Sequence, residues 1–527
     1  MLESLPDLIV TSAHRRADAV AVRYKSRHLD YAGLLAAVSA VSAELVELGL
    51  NKGDRVAVFS DKRPETVISM FGASLAGGVF VPVNSLLRPP QVSYILNNCN
   101  VKILATTAAR LSQLAAALAD CPDLNTILLL DDAPLTEDIG LPTVRISDVI
   151  ERRGNDPFQR GHRVIASDMA AIMYTSGSTG LPKGVVLSHA NMLIGAEAVA
   201  TYIENTPDDR ILSALPLSFD AGLSQVTTGF FAGSTVVLHD YLLAKDVVRV
   251  MAREQITGLT AVPPLWIQLT EQHWTPEATQ SLRYFANTGG KMPGEILDKL
   301  RGIFPTAKPF LMYGLTEAFR STYLPPDQVD ARPDSIGIAI PSAEIMIVAE
   351  DGGLCAPGEV GELVHRGPLV AQGYWNDPER TAVRFKPAPG RPPELPTEEL
   401  AVYSGDWVKR DDEGYLYFVG RMDEMIKTSG YRVSPAEVEE IVFDTGMVAE
   451  VAALGIAHPQ LGQAIVIVVR SPDGSDGDTD SLLEAIRPNV PNYMMPSTVI
   501  WQADMPKNAN GKLDRKLLSE QNGDLFQ

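Results

Sequence analysis

Apolar positions recur at helical spacing over 34–50, and the run closes on Gly49. The next stretch, 55–60 (RVAVFS), is short and mostly apolar, which predicts a buried strand. Residues 66–75 return to the helical period, and 79–83 (VFVPV) read as a second strand. Two more strands are predicted at 101–106 and 126–130, and a similar alternation occupies 170–311. Strands alternating with helices predict an α/β fold whose parallel sheet is covered on both faces.

After Arg421 the pattern changes character. Residues 438–443 and 481–486 are helical, while 451–456 and 464–470 (AIVIVVR) are strand-like. That is enough for a small α+β domain of about 100 residues. We therefore expect a large domain over 1–421 and a small one over 422–527, with the boundary near 421–424. The five prolines of 386–399 (KPAPGRPPELPTEE) predict an exposed loop, and 471–480 (SPDGSDGDTD) a solvated acidic turn. No repeat of fixed period is present.

With 527 residues, 45% hydrophobic and 21% charged, the chain can bury roughly three-quarters of its unfolded surface, which excludes a fully disordered protein. Its net charge of −20 argues against partners such as nucleic acid or an anionic membrane surface. An anionic ligand must be held by local cations and backbone N–H groups. Three cysteines, Cys99, Cys121 and Cys355, cannot make a disulfide framework or a Cys-rich zinc site, so a reducing cytoplasm is the expectation. The start, MLESLPDLIVTSAHRR, lacks a signal-peptide pattern, and no window of about 20 apolar residues predicts a membrane span.

The strongest local signal follows the apolar residues 171–174. Thr175, Ser176, Gly177, Ser178, Thr179 and Gly180 lead through Leu-Pro to Lys183 and Gly184. Hydroxyls and glycines let backbone N–H and side-chain O–H groups converge on phosphate oxygens, and lysine adds a mobile charge. Lys183 follows Pro182 and precedes a glycine, so this is not the Gly-Lys-Ser/Thr nucleotide loop. Taken alone, a hydroxyl-rich turn is the bland reading.

The run YTSGSTGLPKGVVLSH resembles the phosphate-loop signature of the adenylate-forming (AMP-binding) enzymes, which include acyl-CoA synthetases, nonribosomal-peptide adenylation domains and luciferases. The resemblance extends essentially end to end. It implies a large domain of parallel α/β sheets with a β-barrel-like portion, and a small mobile α+β C-terminal domain. It also implies ATP and Mg²⁺ as cofactors, with CoA or a phosphopantetheinyl carrier protein accepting the acyl group.

The resemblance assigns roles residue by residue. Within Tyr313-Gly314-Leu-Thr316-Glu317, after an apolar strand that includes Met312, the tyrosine stacks on adenine, Thr316 touches the α-phosphate and Glu317 binds the metal. A hard cation prefers such oxygen ligands. The segment Asn287-Thr288-Gly289-Gly290-Lys291 lines the adenine pocket. Asp406 holds the ribose with help from Arg421, and Asp423 is the hinge of the small domain. Lys512, which the turn signal Asn510-Gly511 places at a loop tip, bridges carboxylate and α-phosphate. Lys427 and Gly430 belong to a loop that faces the active site during the thiol step.

For the acid, Phe219 and Asp220 fall where amino-acid-activating members pair an aspartate with the substrate α-ammonium, and Ser224, Thr288, Met312, Arg320 and Ser321 would line the pocket. Asp220 could instead cap a helix. Arg320 could pair with Asp220, meet a second substrate carboxylate or point elsewhere. The expectation is a ligase for a small amino acid. The alternatives are an acyl-CoA ligase for a non-amino carboxylic acid, a luciferase-like oxygenase, and a catalytically silent nucleotide-binding regulator.

Overall fold

In the computed structural model, residues 1, 137, 176–181, 393, 422–424, 429–430, 460, 476, 491, 509–511 and 527 lie outside the described part, as do the side chains of 427, 431, 432 and 493; all others are described. The chain divides into two compact units. One comprises Met1–Ile345 with His365–Val402, the other Met346–Val364 with Tyr403–Gln527. Asp423 lies outside the described residues, so the rotation point expected there is a separate matter from this division by packing.

The first unit is built on two sheets. One has seven strands in the order Thr143–Arg145, Thr126–Leu129, Val101–Thr106, Arg55–Phe59, Val79–Val83, Met169–Thr175 and Lys183–Ser188. All neighbours are parallel except the last pair, an antiparallel hairpin in which Thr175 faces Lys183. In the second sheet the strands Lys308–Tyr313, Tyr284–Asn287, Gly258–Ala261, Arg210–Ser213, Thr235–Leu238 and Val20–Tyr24 run parallel. Antiparallel strands Thr322–Leu324 and Ser335–Ala339 extend one edge, and Phe385–Pro387 pairs with the start of a later strand through Phe385 and Val402. A β-barrel-like portion was expected without a position; these strands add antiparallel pairing at the sheet edge.

The predicted elements are present, with shifted ends. The helix expected over 34–50 spans Tyr31–Glu47, because Asp30 accepts the Gly33 N–H at 2.7 Å and starts it a turn early. Its Leu34, Val38, Val41 and Leu45 are buried in one core with Phe71 of the helix Pro64–Ala76. Of the loop expected over 386–399, Lys386 and Pro387 belong to the strand Phe385–Pro387, and the described residues of 388–399 form no helix or strand.

The second unit carries the hairpin Leu400–Arg410/Leu416–Arg421 from Tyr403 onward and a separate sheet. In that sheet Gly462–Arg470 pairs antiparallel with Glu450–His458 and parallel with Thr498–Trp501. Helices Pro435–Phe443 and Thr479–Ile486 bury Val438, Val442, Leu482 and Ile486 against it. This is the α+β domain the sequence predicts. Among the described residues no helix is long and apolar enough to cross a membrane.

Candidate active site

In the first unit, three side chains meet at one carboxylate oxygen. Lys183 begins the strand Lys183–Ser188, and Glu317 sits in the short helical turn Thr316–Ala318 after the strand Lys308–Tyr313. The Lys183 ammonium donates to Glu317 Oε1 at 3.0 Å and to the Tyr374 hydroxyl at 2.7 Å. The Tyr374 hydroxyl in turn donates to the same Oε1 at 2.6 Å. Tyr374 is held there by backbone pairing: Val186 N–H reaches Gly373 O, Trp375 N–H reaches Gly184 O, and Ala371 N–H reaches Glu317 O. Burial works against the Glu317 charge, yet Lys183, Tyr374 and Arg384 outweigh it and hold the carboxyl below its ordinary value of 4.5. Glu317 is therefore an anion at neutral pH.

Two features make this corner fit a magnesium nucleotide. The Thr175 hydroxyl, across the hairpin from Lys183, is buried with no hydrogen-bond partner among the described residues. A phosphate oxygen would satisfy it. Among the described residues no three His, Cys, Asp or Glu side chains gather as a metal cage. Glu317 offers a single ionised oxygen ligand, which suits Mg²⁺ carried largely by phosphates and water. The intervening Ser176, Gly177, Ser178, Thr179 and Gly180 lie outside the described residues.

Beyond Glu317 the backbone is strained. Phe319 has φ +55 and ψ −39, and Arg320 N–H closes onto Ala318 O at 2.6 Å. This is a γ-turn of the rare, costly hand, at a non-glycine residue. It persists because the Phe319 ring is fully buried against Gly195, where an added Cβ would lie 2.4 Å from the ring. The turn sends Glu317 one way and Arg320 another.

Arg320 is 3% exposed, and its Nη1 lies 3.5 Å from Asp220 Oδ2. Asp220 opens the helix Asp220–Ala232, follows Phe219, and accepts the Ala221 N–H at 2.7 Å. Asp220 is thus the first helical residue, after the N-cap Phe219, rather than the cap expected, and of the readings open for Arg320 the structure shows the pairing with Asp220. Arg320, Ser224 and Met312 line one small cavity beside Ala221, about 10 Å³, room for a single water. Ser321 is instead fully buried and bonded to His365 Nδ1 at 3.0 Å, and burial drops the His365 ring to about 4.

Around the expected adenine pocket, Asn287 Nδ2 donates to Gly290 O at 2.8 Å, closing a turn in which Gly289 has φ +76. Thr288 is buried, while Lys291 pairs with Asp334 at the surface. Tyr313 and Gly314 follow at the end of the neighbouring strand.

In the second unit the structure pairs two expected ribose residues. Arg421 Nε donates to Asp406 Oδ1 at 2.9 Å across the hairpin. Lys512 is exposed, and the Asn508 N–H donates to Lys512 O at 2.8 Å. Gly430, Asp423 and the Lys427 side chain lie outside the described residues.

Sequence reasoning did not find Tyr374 or His365. Neither sits in a charged or glycine-rich motif, and each meets its partner more than 40 residues away.

Comparison with known proteins agrees with this geometry. Residues 9–375 match the AMP-binding enzyme model, and 437–512 match the AMP-binding enzyme C-terminal domain. The indoleacetate–CoA ligase of Aromatoleum aromaticum is 31% identical over 501 residues, 94% of this chain and 93% of that protein. Tyrocidine synthase 3 of Brevibacillus parabrevis is 29% identical over 535 residues, 98% of this chain and 8% of that protein. The o-succinylbenzoate coenzyme A synthetase of Bacillus subtilis, solved with ATP and a magnesium ion, superposes with a TM-score of 0.81 at 25% identity, covering 98% of this chain and 99% of that one. The chain belongs to the AMP-binding enzyme family and is an AMP-forming acid–thiol ligase.

Proposed function

We propose that the chain joins a small carboxylic acid lacking an α-amino group to coenzyme A through an acyl adenylate. The observation that carries this reading is the Arg320–Asp220 pair. A substrate ammonium needs a carboxylate to meet it, and Asp220 already faces a buried guanidinium. An ammonium brought beside Arg320 would add a second buried cation to one anion, which is costly. The matches to CoA ligases over nearly the whole chain support the same choice.

The acid is ionised at pH 7, so the first step needs no general base. Its obstacle is the approach of one anion to a polyanion. Lys512 would bridge the attacking carboxylate and the α-phosphate, Thr316 would donate to that phosphate, and Tyr313 would stack on the adenine, with Thr288, Gly289, Gly290, Lys291 and Met312 lining its pocket. Asp406, steadied by Arg421, takes the ribose hydroxyls. Lys183 and Thr175 receive the departing pyrophosphate with residues 176–180, and Glu317 is the ligand for Mg²⁺, which supplies positive charge there. The small domain, 422–527, then turns about Asp423, withdraws Lys512 and brings Lys427 and Gly430 toward the incoming thiol.

Free CoA is preferred to a carrier protein as acceptor because carrier proteins are acidic and this chain has a net charge of −20. Three free, buried cysteines support a reducing compartment, the cytoplasm. ATP–pyrophosphate exchange over matched acids with and without an α-amino group tests the reading. Exchange confined to the non-amino members is expected; exchange driven by amino acids would overturn it.

A further inference from the structure

Lys512 is flanked in the chain by two cations that reach back to carboxylates with little exposure. Lys507, before it, pairs with Glu450 Oε1 at 2.7 Å. Arg515, after it, donates to Glu439 Oε1 at 2.6 Å and also to Oε2 of the same carboxylate. Glu450 opens the strand Glu450–His458 and Glu439 lies on the helix Pro435–Phe443, so the two anchors stand on different elements of the second unit. Their side chains are only 16% and 15% exposed. Both carboxylates are themselves fixed. Glu450 Oε2 accepts from Arg470 Nε at 2.7 Å, across the antiparallel strand pair. Glu439 Oε1 accepts the Ala453 N–H at 2.7 Å, which ties the helix to the same sheet.

Between the anchors the backbone holds itself together. Lys507 and Leu513 form an antiparallel bridge, the Asp514 N–H donates to Pro506 O at 2.8 Å, and the Lys512 N–H donates to Asn508 Oδ1 at 3.2 Å. Residues 506–508 and 512–514 therefore run side by side, while 509–511 lie outside the described residues. Asp514 then accepts the Leu517 N–H at 3.1 Å and caps the helix Arg515–Asn522.

The ion pairs are not needed to keep this segment on the domain. Met505 and Leu518, on either side of it, are buried with Leu454, Val466 and Val468. Apolar burial is non-directional, so it holds the segment down without aiming it. Charge-assisted bonds are directional, above all where one guanidinium meets both oxygens of a carboxylate. One such anchor on each stem sets the direction in which the segment carrying Lys512 leaves the domain surface.

We propose that Glu450 and Glu439, acting through Lys507 and Arg515, are positioning residues for Lys512 in adenylation. The inference rests on the reading of Lys512 above and names what aims it. Lys512 serves while it faces the α-phosphate, so the anchors matter to the first half-reaction and not to the second, from which Lys512 is withdrawn.

The test measures the two half-reactions separately in the full chain. ATP–pyrophosphate exchange is run with propionate, benzoate, indoleacetate, alanine and phenylalanine. The acid giving the fastest exchange is used throughout, and its synthetic acyl-AMP is supplied with CoA for thioester formation. Lys507→Met leaves Glu450 paired with Arg470, and Arg515→Met removes the other anchor. Misplacing a catalytic group by about 1 Å can cost about a hundredfold, so each variant should lower kcat of exchange by about tenfold and the double variant by more. Thioester formation should stay within about twofold of wild type, because Lys512 has left the site by then. Lys507→Arg can still pair with Glu450 and should keep exchange within about threefold of wild type. Lys512→Ala is measured beside them. If Lys512→Ala loses exchange alone while the anchor variants keep it, or lose both half-reactions in parallel as a destabilised protein would, the inference is overturned and the reading of Lys512 stands. If Lys512→Ala spares exchange, or if no acid supports exchange or no acyl-AMP passes to CoA, that reading falls and takes the inference with it.

Discussion

Whether Asp220 is committed to the protein can be measured by a double-mutant cycle. Asp220→Asn removes the charge but keeps an oxygen that can accept the Ala221 N–H, so the helix terminus is spared. Arg320→Met removes the guanidinium and keeps an unbranched apolar stem. Two unit charges 3.5 Å apart attract by about 5 kcal/mol at an effective dielectric constant of 20. Their desolvation offsets much of that in the wild type, but removing one partner leaves the other buried and uncompensated. Asp220→Asn should therefore cost about 3–5 kcal/mol, since Arg320 is 3% exposed. Arg320→Met should cost less, since Asp220 is 12% exposed and keeps its bond to Ala221. Combining the two should recover stability, with a coupling energy of about 2 kcal/mol or more. Asp220→Ala, which also loses the bond from the Ala221 N–H, should cost about 1 kcal/mol beyond Asp220→Asn. The assay is urea unfolding of the four proteins, followed by tryptophan fluorescence. Effects that simply add, within about 0.5 kcal/mol, would refute the reasoning and leave Asp220 available to a substrate ammonium.

Tyr374→Phe removes a buried hydrogen bond to an ionised carboxylate, about 1.5 kcal/mol, so Glu317 should titrate higher. The acidic limb of the pH profile should move up, and on that limb half-saturating Mg²⁺ in pyrophosphate exchange should rise, while at neutral pH, where Glu317 stays ionised, it should not. A Mg²⁺ dependence unmoved on that limb would count against a link between Tyr374 and the metal ligand. Lys512→Ala should suppress adenylation yet spare thioester formation from a preformed adenylate; equal loss of both steps would contradict that division of labour. His189 and His365 are buried and neutral, and burial drops each from 6.5 to about 4. The unfolded chain thus binds more protons as pH falls, so stability is full above about 6.5 and declines toward pH 4, by about 3 kcal/mol per histidine. His365→Gln should make this acid decline shallower in unfolding measurements at stepped pH, and an unchanged slope would show that His365 does not titrate this way.

Much of the fold was legible because its elements announce themselves locally. Runs such as RVAVFS and AIVIVVR are apolar on both faces, and their positions agree with the strands Arg55–Phe59 and Gly462–Arg470. Helix ends were less legible: Asp30 caps its helix through a side chain, which the apolar period does not register. Within the site, Lys183 and Glu317 could be read because their motifs are contiguous. Tyr374 could not, since it reaches Glu317 through strand pairing set by tertiary structure. The γ-turn at Phe319 was also hidden. It is imposed by packing against Gly195, it opposes the residue's own backbone preference, and it aims Arg320 at Asp220. Sequence alone left three possibilities open for Arg320, and only the folded chain chooses the ion pair.

The most direct measurement is of the products. The protein, ATP, Mg²⁺ and CoA are incubated with a panel of short amino and non-amino acids, and AMP and acyl-CoA are quantified together by mass spectrometry. Equal amounts of AMP and acyl-CoA with a non-amino acid are predicted. AMP-forming turnover only with amino acids, or acyl adenylate that never passes to CoA, would contradict the account.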